Sequence, residues 1–277
     1  MVETVRALRA ADVRRLGNVL ARAYESPHNF ELPLEEYLRR AAATFVAEVD
    51  GVPVGIVVGN DYGTTAYVSM MGVDPAMQRR GIGSALMRAL SAWAQQRRFA
   101  AIELDATPSG SPLYARFGFT PAGRTLVYVA GGAGGDARAA RRYGAADRAA
   151  VLATDRHAFG ADRGDVLRPL LEWAPNAVVV RGPRHAADGY ADAQPRSDLL
   201  GPVVAPDGAS AAALIDASRT RLAGTHRVNV PSDNRSAQAI LQARGYRFAR
   251  SFPHLVLGRL PLAARDTLFA RINLGYG

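Results

Sequence analysis

Cysteine and lysine are both missing from this chain of 277 residues. Without cysteine there is no disulfide, no thiolate metal site and no cysteine nucleophile. Without lysine there is no Walker loop, which needs a lysine to reach nucleotide phosphates; all 34 basic residues are arginine. The five histidines, His28, His157, His185, His226 and His254, stand apart in the chain. None has the spacing of a metal-binding helix pair, so no metal is expected. No apolar run approaches a membrane span, and residues 1–17 carry Glu3, Arg6, Arg9, Asp12, Arg14 and Arg15 without an apolar block. Neither membrane association nor a secretory signal is therefore expected, and the location reads as cytoplasmic.

What is present is an ordinary globular composition, 48% hydrophobic and 21% charged, in a chain long enough for two domains. The net charge of +9 raises nucleic acid as a partner. The arginines are spread over both halves, however, with no basic stripe interleaved with aromatics, so nucleic-acid binding is disfavoured. A glycine-rich stretch, Gly131-Gly132-Ala133-Gly134-Gly135-Asp136, reads as a linker between residues 1–130 and 137–277. Features repeat across it. Arg9-Ala10-Ala11-Asp12 is matched by Gly144-Ala145-Ala146-Asp147, both reading as helix starts capped by Asp. A strand pair over 45–58, with an Asp50-Gly51 turn, has a counterpart over 177–190. Val73-Asp74-Pro75 is echoed by Val204-Ala205-Pro206, and Gly118-Phe119 by Gly245-Tyr246. The repeat spans the whole chain.

The first half carries the chemistry. The apolar run 66–73 reads as a strand, Asp74-Pro75 breaks it, and Ile82, Leu86, Leu90 and Trp93 recur at helical spacing. Between them lies Gln78-Arg79-Arg80-Gly81-Ile82-Gly83. A helix that starts on glycines offers unpaired amides and the positive end of its dipole to a phosphate or diphosphate, with Arg79 and Arg80 at the rim. A dinucleotide fingerprint is excluded, because no glycine stands at the third position that pattern requires.

Gln78-x-x-Gly81-x-Gly83 after Val73-Asp74-Pro75 resembles motif A of the GNAT superfamily, the acyl-CoA-dependent N-acetyltransferases. The downstream segments Ile102-Glu103-Leu104-Asp105-Ala106-Thr107-Pro108 and Leu113-Tyr114-Ala115-Arg116-Phe117-Gly118-Phe119 resemble that family's fifth strand and closing signature. The resemblance implies an α/β fold of two tandem GNAT-like domains, each a mixed, mostly antiparallel sheet flanked by helices. It implies acetyl-CoA as cofactor, with coenzyme A as product. In the second half, Pro206 is followed by Asp207-Gly208-Ala209-Ser210-Ala211 in place of the glycine motif, and Leu241 replaces Tyr114. That copy reads as degenerate, expected to pack on the first domain and shape its substrate cleft.

Residue roles follow from the resemblance. Met71, Gly72, Val73, Gln78, Arg79, Arg80, Gly81, Ile82, Gly83, Ser84 and Thr107 are expected at the cofactor. Gly72 is read as a bulge that separates the fourth and fifth strands. An amide at the end of the fourth strand is expected to hold the negative charge that builds on the acyl oxygen. Tyr114 is the expected general acid toward the departing sulfur, and a core aromatic on the alternative reading. For the base, the candidates are Glu48, Glu103 and Asp105; Asp105 is the first choice, as base or ammonium partner, and a turn-capping carboxylate and a water chain stay open. Alternation along 102–105 would put Glu103 and Asp105 on a polar face. Glu31, Glu48 and Glu103 are the expected substrate-side carboxylates, Glu31 lying in the acidic window 25–37. With no cysteine available, transfer would pass directly from thioester to acceptor. The expected acceptor is the primary amine of a small molecule. A protein N-terminus or side chain, a non-catalytic acyl-CoA-binding module and homo-oligomer formation remain as alternatives.

Overall fold

The computed structural model describes residues 4–40, 42–132, 134–136, 138, 140–173, 177–181 and 187–277. Ala133 of the glycine-rich stretch, His185 and the middle of the second strand pair lie outside the described residues. Two compact units emerge. Unit 1 comprises Met1–Leu104, Ser109–Thr120 and Val256–Arg259; unit 2 comprises Asp105–Pro108, Pro121–Leu255 and Leu260–Gly277.

Unit 1 is built from β1 (Thr4–Arg6), α1 (Val13–Ala23), α2 (Glu31–Arg39), β2 (Ala43–Val49), β3 (Val52–Asp61), β4 (Thr65–Val73), α3 (Ile82–Arg97), β5 (Ala101–Asp105) and α4 (Ser111–Arg116). Its strands run in the order β1-β2-β3-β4-β5. The first three junctions are antiparallel and β4 to β5 is parallel. The Asp50-Gly51 turn closes the β2–β3 hairpin with φ of 51° and 70° and pairs Val49 with Val52. Left-handed φ at both central residues matches the twist of a two-residue hairpin. β3 is an almost unbroken apolar run, as a strand covered on both faces requires. Leu16 and Leu20 of α1 and Leu86 and Leu90 of α3 are buried with it.

Unit 2 continues with β6 (Thr120–Ala130), β7 (Arg141–Arg142), α5 (Arg148–Phe159), α6 (Gly164–Trp173), β8 (Val178–Arg181), β9 (Ala187–Gln194), β10 (Leu199–Val204), α7 (Gly208–Arg219), β11 (His226–Pro231), α8 (Arg235–Ala243), β12 (Arg247–Gly258) and β13 (Leu268–Ala270). Its order is β12-β6-β11-β10-β9-β8-β7, with β13 on β10. Val178, Val203, Leu214, Val228, Val230 and Phe269 are among its core residues. The β10–β11 junction is parallel, like β4–β5 in unit 1, and reduces to one register pair, Leu199 with Arg227.

Sequence order and sheet order part company at the last strand of each copy. β6 follows β5 in the chain but pairs with β11 over six register positions, His226↔Ala130 to Pro231↔Thr125. The end of β12 belongs to unit 1, where Arg259 N donates to Ala100 O at 3.0 Å.

The repeat extends to side-chain detail. Asp12 accepts from Arg9 N at 2.8 Å and pairs with Arg6 at 2.6 Å; Asp147 accepts from Gly144 N at 2.9 Å and pairs with Arg141. Each Asp closes the turn ahead of its helix by reaching back three residues, with an arginine from the preceding strand on its outer side. Burial opposes ionisation of Asp12, but the bonds from Arg6 and from the Arg9 amide prevail and hold its carboxyl below the usual range.

Candidate active site

β4 and β5 pair only at Thr65↔Ala101, Ala66↔Ile102 and Tyr67↔Glu103. Beyond Tyr67 the β5-facing edge of β4 is open. The cause lies on the other side of β4: Val57 pairs with Met71 and Gly59 with Val68, so Ser69 and Met70 together oppose Val58. That extra residue bends β4. The bulge is thus at Ser69-Met70 and not at Gly72, as the sequence suggested. Gly72 serves packing: a Cβ there would stand 2.7 Å from Leu20 Cδ2, so its absence lets α1 lie close against β4.

The open stretch of β4 leads into the anion cradle. Asp74 accepts from Ala76 N at 3.2 Å and Gln78 Nε2 donates to Val73 O at 3.1 Å, tying the connection to the strand end. Arg79 and Gly81 both have left-handed backbone, φ 62° and 82°. A curl of this kind builds a concave run of N–H groups. The first bond of the α3 ladder is donated by Ala85 to Gly81 O at 3.0 Å, so the amides of Ile82, Gly83 and Ser84 precede the ladder. Gly81, Arg79 and Arg80 are exposed. Gly81 is favoured by its backbone angle, since a Cβ there would meet nothing within 4 Å; at Gly83 the space is tight, since a Cβ would lie 3.2 Å from Leu113 Cδ2 and 3.5 Å from Met71 Cε.

Two tyrosines lie close enough for the charge of one to act on the other. Tyr24 at the end of α1 accepts from Met71 N at 2.9 Å and donates to Met71 O at 3.1 Å. Desolvation pushes its phenol up to about 12. Tyr114, on α4, is buried, with its ring 5.8 Å from that of Phe119. Burial, and after it the charge of Tyr24, push the Tyr114 phenol far above its ordinary value. Both hydroxyls therefore carry their protons through the neutral range. The sequence reading missed Tyr24. The available signal was an aromatic just past the last turn of an amphipathic helix, and that pattern equally describes a core residue.

The expected carboxylates Glu31, Glu48 and Asp105 have partners of their own. Asp105 belongs to unit 2, where its side chain is fully buried and bound by Thr125 Oγ1 at 2.7 Å and His254 Nδ1 at 3.2 Å. Burial opposes its ionisation, but His254, Arg271 and Thr125 outweigh it and hold the carboxyl below its usual range. A carboxylate so stabilised is a poor proton acceptor, which corrects its reading as base. Glu48 is paired with Arg6 on β1. Glu103 is buried, and β5 is covered on both faces, so the face that carries Glu103 and Asp105 is not solvent-facing. Glu31 sits in the first turn of α2 with Oε1 bound by Asn29 Nδ2 at 3.0 Å. Thr107 is grouped with unit 2.

In unit 2 the position matching the cradle is closed. Asp207 accepts from Ser210 N at 2.7 Å at the start of α7, so a carboxylate already occupies the helix end. Among the described residues no cluster of three or more His, Cys, Asp or Glu is arranged to hold a metal, and no helix is long and apolar enough to cross a membrane.

Comparison with known proteins agrees with this duplicated architecture. Residues 13–119 match the model of the acetyltransferase (GNAT) family, and residues 151–270 match that of an acetyltransferase (GNAT) domain. A Bacillus subtilis protein, described as the uncharacterized N-acetyltransferase YitH, is 26% identical over 225 residues, covering 78% of each chain. A putative acetyltransferase from Pyrococcus horikoshii has the same fold, with TM-score 0.84 at 21% identity over 99% of this chain and 95% of that one. So does a tandem GNAT protein from the clavulanic acid biosynthesis pathway, with TM-score 0.62 at 15% identity over 92% of this chain and 98% of that one.

Proposed function

Both halves of the chain belong to the acetyltransferase (GNAT) family, making it a tandem GNAT acyltransferase, and from that premise we propose that unit 1 moves an acetyl group directly from acetyl-CoA to the primary amine of a small molecule. The observation that carries the reading is the continuity, within unit 1, of an open β4 edge with a helix N-terminus shaped by Arg79 and Gly81. The residues fit the cofactor. The amides of Ile82, Gly83 and Ser84, with Arg79 and Arg80, would hold its diphosphate. Val73, next to Gly72 and facing the open edge, would pair with the pantetheine arm as a neighbouring strand would.

Acetyl-CoA supplies an activated acyl thioester. Met71 N–H is the donor we assign to the acyl oxygen; in the structure the phenol oxygen of Tyr24 stands in for that oxygen at 2.9 Å. Tyr114 Oη is the donor we assign to the departing sulfur: burial keeps the phenol protonated and makes it a weak acid, so it acts by hydrogen-bonding the developing thiolate, which then takes its proton from solvent. Asp105 is committed to His254 and Thr125, so the amine loses its proton to water. Glu31, in the first turn of α2, is the carboxylate we assign to attracting a cationic amine.

The test is release of coenzyme A from acetyl-CoA by the full-length protein across a panel of small amines and peptides. A small amine should trigger release, and Tyr114→Phe should lower kcat about 100-fold. An unchanged kcat for that variant, where chemistry limits turnover, would remove that donor. Turnover of peptides alone would make the acceptor a protein, and tight binding of acetyl-CoA without any turnover would make the chain a binding module.

A further inference from the structure

Outside the cradle, unit 2 contains a cavity of about 80 Å³ lined by Arg124, Ser232, Asp233, His254, Arg265 and Arg271, among others. Its composition is unusual for a structural void, because empty cavities are normally apolar. Three arginines line this one.

Arg271 is the telling residue. It follows β13 directly, is 4% exposed, and among the described residues neither its Nε nor its Nη1 has a hydrogen-bond partner. A buried guanidinium with idle donors is costly, since a desolvated cation needs both charge compensation and filled hydrogen bonds. Asp105 gives Arg271 part of the first, because the charge of Arg271 acts on that carboxylate. It gives less of the second, because Asp105 Oδ1 already takes Thr125 Oγ1 and His254 Nδ1. Arg124, at the exposed side, has its guanidinium held by the neutral hydroxyl of Ser251 at 2.6 and 2.9 Å. Three arginines, Arg124, Arg265 and Arg271, stand against two carboxylates, Asp105 and Asp233.

From this geometry we infer that unit 2 has a binding site for a small oxyanion, a carboxylate or phosphate group, seated on the buried Arg271 with Arg124 at its mouth. The volume admits a group of a few heavy atoms and not a nucleotide. The Thr125–Asp105–His254 chain supports the site from behind by fixing the negative end of the buried pair next to Arg271. Guanidinium suits this ligand class because its N–H groups match carboxylate and phosphate oxygens. The site does not depend on the reading of unit 1: its residues all belong to unit 2.

The experiment is nuclear magnetic resonance of arginine Nε–H groups in the full-length protein, titrated separately with inorganic phosphate and with sodium acetate. Sodium chloride at matched ionic strength is the control. The Arg271 signal, identified by its loss in Arg271→Gln, should shift saturably with phosphate, with acetate or with both, and the arm that works tells which oxyanion is preferred. Arg124→Gln, an exposed change that leaves the core intact, should weaken binding roughly tenfold. Failure of both probes to shift the signal, or shifts that chloride reproduces, would overturn the proposal. So would undiminished affinity in Arg124→Gln together with an unshifted Arg271 signal. If Arg271→Gln fails to fold, Arg271→Lys provides the assignment and keeps the charge.

Discussion

The hydroxyl of Tyr24 makes two hydrogen bonds to one backbone residue, Met71, and so marks the amide on which the acyl oxygen is proposed to rest. Single residues of this kind are where reading a sequence is weakest. Tyr114 could be put forward from the sequence because it stands inside a motif. Tyr24 could not, because a tyrosine at a helix end has no spacing that separates a site residue from a core residue. Asp105 shows the converse: a polar residue at a strand end invites a catalytic reading, whereas here its partners His254 and Arg271 come from about 150 positions downstream. Asp192, on β9, provides a test at this scale. Burial pushes its carboxyl up to about 8, and the Ala193 amide and Arg221 offset only part of that. The folded value lies above the unfolded one, so between about pH 4 and pH 8 the folded chain binds the extra proton and its stability falls as pH rises. Asp192→Asn removes this loss. Melting temperatures measured across that window should show the variant gaining on the parent as pH increases; a constant difference would contradict the buried, protonated carboxyl.

Elements were more legible than residues. The Asp50-Gly51 hairpin, the strand ending before Asp74-Pro75 and the helix beginning on Gly81 all follow from local rules: left-handed angles suit glycine and aspartate, and proline stops a strand. The position of the bulge did not follow, because a glycine in a strand signals either a bulge or a close approach, and only the neighbours decide. At Gly72 the neighbour is Leu20 of α1. Gly72→Ala should therefore destabilise by overpacking, by about 1 kcal/mol because the obstructing atom is the end of a flexible side chain. Chemical denaturation would measure it. A stabilised Gly72→Ala protein would mean that α1 does not lie as close as described. The polar face anticipated for β5 does not meet solvent, for a related reason: alternation marks a strand with one wet face, and β5 is buried on both.

For the whole molecule, the duplication was written in the sequence; the paired Arg6–Asp12 and Arg141–Asp147 arrangements, which the sequence did not announce, extend it to side chains. The exchange of last strands was not. β6 and β12 occupy equivalent places in the two copies, so either could satisfy either sheet, and no local pattern distinguishes the two outcomes. The consequence is experimental. A fragment ending at residue 130 lacks Val256–Arg259, which complete unit 1 beside Ala100 and Ala101, and leaves β6 without β11. Such a fragment should aggregate or remain unfolded, because two unpaired strand edges are exposed. Circular dichroism and size-exclusion chromatography would show it, and a monomeric, cooperatively melting fragment would contradict the exchange.

The measurement that bears most directly on the function is the affinity of the full-length protein for coenzyme A, compared with that of Gly81→Val and Gly83→Val proteins whose circular dichroism is unchanged. Valine at 81 opposes the left-handed backbone, and valine at 83 crowds Leu113 and Met71, so each displaces the amides that would grip the diphosphate. Calorimetry should show tight binding by the parent and at least about a tenfold loss in each variant, the equivalent of one or more charge-assisted hydrogen bonds. Equal affinities in all three folded proteins would contradict the assignment of the α3 N-terminus as the cofactor site.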